Sequence, residues 1–397
     1  MFEDIKDTGA TGILPTSWLR QAANDDVIFT ERYKIPPANF QPASLDLRLG
    51  ERAHRLRCSF LPDSSTVWDK LPDLQMEELD LRDGAILERN RPYLIPLIEE
   101  LRLPDFIRAK TNPKSSTGRL DIFTRVITDN SHRFDDVVSG YHGQLFLEVV
   151  SRSFTIRVKT GLSLNQLRLT IGSASCEEGE LLRRHGQQPI VLAEPGQPGQ
   201  VRQPSLDNTV GLSANLAGRS GGVGYRAKKN SSLLDLSREH HYDPGDYWEP
   251  VYAERTRRLV LEPEEFYLLT SAESVRIPAD YAAEMTAYDP SSGELRTHYA
   301  GFFDPGFGLG DKGKLDGVQP VMEVRAHDVP FMIEHGQSIC TITFEKMLEV
   351  PEKLYGAEMG SSYQGQGLIL SKHFLLKTNH WQMPLFEGQG GDVETGG

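Results

Sequence analysis

The chain of 397 residues has only three cysteines, Cys58, Cys176 and Cys340, far apart and with no CxxC spacing. That excludes a disulfide scaffold and favours a reducing compartment. No apolar run approaches the ~18 residues a membrane helix needs, and the start, MFEDIKDTGATG, has no basic-then-apolar signal region. A soluble cytoplasmic protein without a membrane partner is expected. Basic residues are in deficit, 43 Lys and Arg against 56 Asp and Glu, for a net charge of -13. Such a chain is a poor ligand for a polyanion, so no nucleic-acid partner is expected, although a few local cations can still hold a small anion. The Walker order GxxxxGK[ST], the GxSxG elbow and an H-x-E with a following PCxxC are all missing. Their absence speaks against a P-loop enzyme, an α/β-hydrolase and a zinc-dependent base deaminase.

What the chain does have is internal repetition. Leu103-Pro104-Asp105-Phe106 returns as Ile277-Pro278-Ala279-Asp280-Tyr281, and Leu147-Glu148-Val149 returns as Met322-Glu323-Val324. Each Glu is followed 13 residues later by a glycine, Gly161 or Gly336. Two copies of one unit account for the length. Alternation of apolar and polar residues predicts strands at 44–50, 93–97, 122–127, 145–150, 154–158 and 162–169, and a short helix is expected at 15–24 with Thr16 as its N-cap. Long helical periodicity is scarce. The fold class is therefore mainly β, of barrel or jelly-roll type, with a few short helices. The Gln, Pro and Gly content of 186–208 marks a linker between a first domain at 1–185 and a second at 209–386. The Gly-rich 387–397 reads as a disordered tail.

Two segments could carry chemistry. Glu148 is a lone carboxylate inside Gln144-Leu145-Phe146-Leu147-Glu148-Val149-Val150, and burial forces such a group to be paired, neutralised or bound. A structural ion pair would serve as well as catalysis. The second is Pro113-Lys114-Ser115-Ser116-Thr117-Gly118-Arg119, where hydroxyls and flanking cations compose a phosphate cradle or, equally, an ordinary polar turn.

In order along the chain, Ser44 to Gly50, Leu103-Pro104-Asp105, Ser115 to Arg119, and Gly140-Tyr141-His142-Gly143 leading to Leu147-Glu148 resemble the dCTP deaminase branch of the dUTPase-like superfamily. The second copy is similar through Phe303 to Gly308, Met322-Glu323, Ile339 to Glu345, Tyr355 and Ser362 to Gly367. The resemblance implies two dUTPase-like distorted β-barrels and zinc-independent hydrolysis of dCTP to dUTP and ammonia. It implies Glu148 as general base, with Ser115 and Arg119 holding the water. Lys114, Ser116, Thr117, Gly118, Phe146, Leu147 and Asp304 would contact the nucleotide, and Tyr355, Tyr363 and Gln366 would cover it. Mg²⁺ would enter on the triphosphate, dTTP is a candidate inhibitor, and a homo-oligomer, a homotrimer, is implied.

The copies depart from the pattern in different places. Val138 stands where the family has an Asp, with Asp135 or Asp136 as substitutes. In the second copy the Ser pair of Tyr288 to Arg296 is displaced and Glu294 enters. Glu323 is therefore expected to lack an arginine partner and to be an inactive relic, with sites formed between unlike copies around Glu148. The alternatives are a dUTP pyrophosphatase or bifunctional enzyme, with Asp304 activating water, and a non-catalytic nucleotide sensor.

Overall fold

Nine principal strands make up the first half. They are β1 (Leu45–Leu47), β2 (Arg52–Leu56), β3 (Gln75–Asp80), β4 (Tyr93–Arg102), β5 (Ile107–Pro113), β6 (Ile122–Ile127), β7 (Asp136–Val137), β8 (His142–Ser151) and β9 (Asn165–Ile171). In the computed structural model they pair antiparallel in two sheets, ordered β3-β2-β4-β8-β6 and β1-β9-β5-β7. The structure describes residues 2–192, 203–217, 222–286, 295–297, 301–309, 317–326, 328–356 and 370–376.

The second half supplies β10 (Thr209–Ser213), β11 (Gly224–Ala227), β12 (Trp248–Val251), β13 (Tyr267–Thr270), β14 (Tyr281–Thr286), β15 (Leu295–Thr297), β16 (Phe302–Phe303), β17 (Val321–Ala326) and β18 (Ser338–Lys346). Their sheets run β12-β11-β13-β17-β15 and β10-β18-β14-β16, the same serial order as in the first half. The registers agree as well. Glu148 on β8 stands opposite Leu94 of β4, and Glu323 on β17 stands opposite Leu268 of β13.

Side chains alternate along a strand. Leu145, Leu147 and Val149 therefore enter the first core, and Met322 and Val324 the second. Glu148 and Glu323 project from the opposite faces. The helix expected at 15–24 is α1 (Thr16–Asn24), although Thr16 is its first helical residue and Pro15 occupies the cap.

The segment 186–208 is not wholly a linker. A helix, α2 (Glu180–Gln187), precedes Val191–Leu192, which pairs with Ser274–Val275. Leu181, Ile190 and Val191 are buried in the second core. Apolar residues set within a polar run thus fold back onto the second half.

The halves share an extensive seam. Phe154 meets Tyr247 and Trp248 at 5.7 and 5.5 Å, and Phe374 packs on Tyr247 at 5.5 Å. Arg168 of β9 donates to the carbonyls of Ala283 and Phe303, at 2.9 and 2.8 Å. Among the described residues no helix is long and apolar enough to cross a membrane.

Candidate active site

The loop after β5 makes one helical turn, Ser115–Gly118, in which the N–H of Arg119 donates to the Ser115 carbonyl at 3.1 Å. Leu120 and Ile122 anchor it in the first core, which leaves Ser115 exposed to a cavity and Arg119 buried. Gly118 is needed for close approach. A Cβ built there would stand 2.6 Å from Glu323 Oε1 and 2.7 Å from Oε2.

The loop of the first half and the carboxylate of the second therefore meet at one place. Pro113, Ser115 and Arg119 line the cavity on one side, and Asp304, Glu323 and Tyr355 on the other. Burial pushes the Glu323 carboxyl well above the ordinary carboxylate range; the Arg119 guanidinium opposes the rise and Asp121 adds to it. A proton-accepting group tuned this way suits general-base chemistry. Behind it, Arg325 donates Nε to Asp121 Oδ1 at 3.2 Å, and Ser153 Oγ donates to Asp121 Oδ2 at 2.5 Å. These contacts fix β17 against the loop.

Asp304, just after β16, is buried and takes a 3.3 Å bond from Arg168. Its carboxyl is raised by burial and held down in part by Arg168. A second cavity continues from the first along Ser115, Ser116 and Thr117 to Gln166, Lys372 and His373. Lys114 borders both cavities and is ion-paired to Asp46. Lys372 is likewise paired to Glu239, at 2.5 Å, so a chain of phosphates on this track of hydroxyls and lysines would compete with both carboxylates.

The sequence expectations divide clearly. Lys114, Ser115, Ser116, Thr117, Gly118, Arg119, Asp304 and Tyr355 do converge. Tyr355 packs on Phe307 at 5.6 Å. Tyr363 and Gln366 lie outside the described residues.

Glu148 does not stand beside Ser115 and Arg119. It is buried against Arg125, directly across the β8–β6 ladder, with Nε at 3.1 Å and Nη2 at 2.5 Å from Oε1. Phe146 lies under Trp68, with ring centroids 5.3 Å apart, and Leu147 is in the first core, so neither reaches the cavity. Glu323 is correspondingly not without an arginine, because Arg119 reaches it across the seam between the halves rather than along its own sheet. Asp135, offered as a stand-in for the missing Asp, is committed to Thr111 Oγ1 and the Val126 N–H at 2.7 and 2.8 Å.

Sequence reasoning missed Arg168, Lys372 and His373. Arg168 had a signal, an arginine between Leu167 and Leu169, and all three are buried. Lys372 and His373 had none, because their segment reaches the first half only through the tertiary fold.

Comparison with known proteins matches both halves of the chain. Family models described as the N-terminal and C-terminal domains of 2′-deoxycytidine 5′-triphosphate deaminase match residues 10–173 and 177–374. A dCTP deaminase of Haloarcula marismortui is 32% identical over 193 residues, 48% of this chain and 89% of that protein. A dCTP deaminase, dUMP-forming, of Methanosphaera stadtmanae is 33% identical over 129 residues, 31% of this chain and 60% of its own length. The crystal structure of 2′-deoxycytidine 5′-triphosphate deaminase from Agrobacterium tumefaciens superposes with a TM-score of 0.79 at 44% identity, covering 86% of this chain and 100% of that one.

Proposed function

This chain belongs to the 2′-deoxycytidine 5′-triphosphate deaminase family and is an enzyme that deaminates dCTP; from that premise we propose that the reaction runs at the seam between its halves, with Glu323 as general base. The observation that carries this reading is the placement of Glu323, buried against Gly118 and under the charge of Arg119, on the wall of the cavity that Ser115 enters. The cytosine ring occupies this cavity with C4 toward Glu323. Ser115 Oγ and the Arg119 guanidinium hold a water molecule. Glu323 takes its proton as the oxygen bonds to C4, then returns that proton toward the ring or the departing amine. Water is consumed, the C4–N bond breaks, and dUTP and ammonia leave.

Asp304 takes the deoxyribose side of the cavity and Tyr355 borders it. The triphosphate follows Lys114, Ser115, Ser116 and Thr117 into the second cavity toward Lys372. Tyr363 and Gln366 belong to the segment that would cover the nucleotide. Mg²⁺ enters with the triphosphate, as part of the substrate. No step calls for zinc, so a zinc-selective chelator leaves the rate unchanged in excess Mg²⁺. The matching strand orders support a tandem pair of dUTPase-like β-barrels divided near residue 175.

Replacing Glu323 by Gln lowers ammonia release from dCTP about 10²–10⁴-fold. Glu148→Gln leaves most of the activity. Equal losses, or loss confined to Glu148→Gln, would sink the assignment of the base. The same assay reads a second possibility, favoured by relatives named dUMP-forming. Pyrophosphate and dUMP among the products would add triphosphate cleavage to deamination.

A further inference from the structure

Glu148 stands on β8 where Glu323 stands on β17, yet its surroundings are of another kind. It is fully buried, and while Oε1 is held by Arg125, Oε2 has no hydrogen-bond partner. That carboxylate lines a cleft of about 610 Å³ with five arginines on its walls, Arg55, Arg57, Arg91, Arg125 and Arg152. In a chain of net charge -13 this is a local reversal of sign. Arg55 is paired with Glu88 at 3.1 Å and Arg152 with Glu264 at 3.2 Å. Arg57 and Arg91, both exposed, have no acidic partner among the described residues. The remaining wall is mixed, with Met76, Pro92, Phe123 and Val150 beside the polar Ser59 and Asn90.

Three features therefore meet in one cleft. Two uncommitted guanidinium groups favour a polyanion and can grip phosphate oxygens bidentately. Met76 offers an apolar surface for a flat ring, flanked by Phe123, whose ring carries the Arg125 guanidinium at 4.6 Å. A buried carboxylate oxygen without a partner calls for a hydrogen-bond donor, since leaving it unpaired is costly. A phosphate alone satisfies the first feature only, and an apolar ring only the second. We propose that this cleft is a second, non-catalytic nucleoside triphosphate site. The phosphates lie on Arg57 and Arg91, the base lies against Met76 beside Phe123, and an N–H of the base donates to Glu148 Oε2. The site cannot deaminate, because Arg125 occupies the carboxylate that would serve as base and also holds the hydroxyl on the wall, Ser59 Oγ, at 2.8 Å.

This inference is independent of the role of Glu323, and its test is chosen to stay so. The probe is dTTP, which has no exocyclic amine to lose and carries an N3–H donor. It is titrated calorimetrically into the full-length protein, into the Arg57→Glu/Arg91→Glu double variant and into Arg119→Ala. The expected result is a class of bound dTTP weakened at least about tenfold by the double charge reversal and unmoved by Arg119→Ala. Ammonia release from dCTP by the double variant, unchanged, shows that it is folded. Inorganic tripolyphosphate should compete for this class at least about tenfold more weakly than dTTP, because it offers nothing to Glu148 or Met76. If dTTP fails to bind, or all bound dTTP is lost with Arg119 and is indifferent to Arg57 and Arg91, the site does not exist. If tripolyphosphate binds as tightly as dTTP, the nucleoside part of the assignment is wrong.

Discussion

Two carboxylates at matching positions on matching strands carry opposite assignments here, and the neighbouring cation decides which is which. Arg125 neutralises Glu148 in place along its own ladder. Glu323 is instead raised by burial, with Arg119 as a partial counterweight. A carboxyl whose folded value exceeds its unfolded one holds a proton that the unfolded chain has already lost. Stability is therefore greatest below the ordinary carboxylate range and falls as pH rises through the folded value. Glu323→Gln removes that slope, so thermal unfolding should find the variant more stable than the parent at about pH 8, the difference closing near pH 4. The same raised value places the acid limb of kcat/KM well above that of an ordinary carboxylate, because the base must be ionised to accept a proton. An acid limb at the unperturbed position would remove Glu323 from this role. His373 has the reverse sign. Burial, reinforced by Lys372, lowers it to about 4. The unfolded chain then binds the extra proton between about 4 and 6.5, and the stability that neutral His373 contributes is lost as pH falls through that window. Acid unfolding of His373→Gln should be correspondingly shallower than that of the parent.

The single helical turn at Ser115–Gly118 matters because it must touch a strand from the other half. Gly118→Ala would drive a methyl group into the Glu323 carboxyl. Overpacking of this kind costs about 1–3 kcal/mol, and a displaced base costs on the order of 10²-fold in kcat. The expected outcome is a small fall in Tm with a large fall in kcat; an unchanged kcat would place the carboxyl elsewhere during turnover. This turn was legible in the sequence by its hydroxyls and flanking cations, and so were the strands with clean alternation, such as β6 and the core of β8. Strands β2 and β3 and the helix at Val67–Leu74 were not, because charged and polar residues interrupt the alternation in Arg52 to Leu56 and Gln75 to Asp80, whose strand geometry rests on their mutual ladder and on the burial of Ala53 and Leu56. The helix carries a Thr66–Asp69 capping box, and that signal went unread. Which glutamate joins the loop was also beyond local pattern. The choice depends on how two halves dock, and each glutamate sits in the same strand context.

At the scale of the molecule, the site exists because the halves are locked in register by buried polar contacts as well as by the aromatic seam. Asp121 and Arg325 form a buried ion pair from opposite halves, with Arg325 two residues along β17 from Glu323, and Asp121 also helps to raise the Glu323 carboxyl. Removing one partner of a buried pair strands the other, at a cost of about 3–5 kcal/mol, whereas replacing both with apolar groups of similar volume is close to neutral. Asp121→Asn should therefore lower Tm strongly, and Asp121→Leu combined with Arg325→Met should recover most of the loss. The double variant also separates stability from chemistry. With the Asp121 charge gone, the Glu323 carboxyl titrates lower, so the acid limb of kcat/KM moves to lower pH even though the fold is restored. A double variant with recovered Tm and an unmoved limb would mean that the pair only holds the halves together. A moved limb would mean that the docking of the two copies also sets the basicity of the catalytic carboxylate.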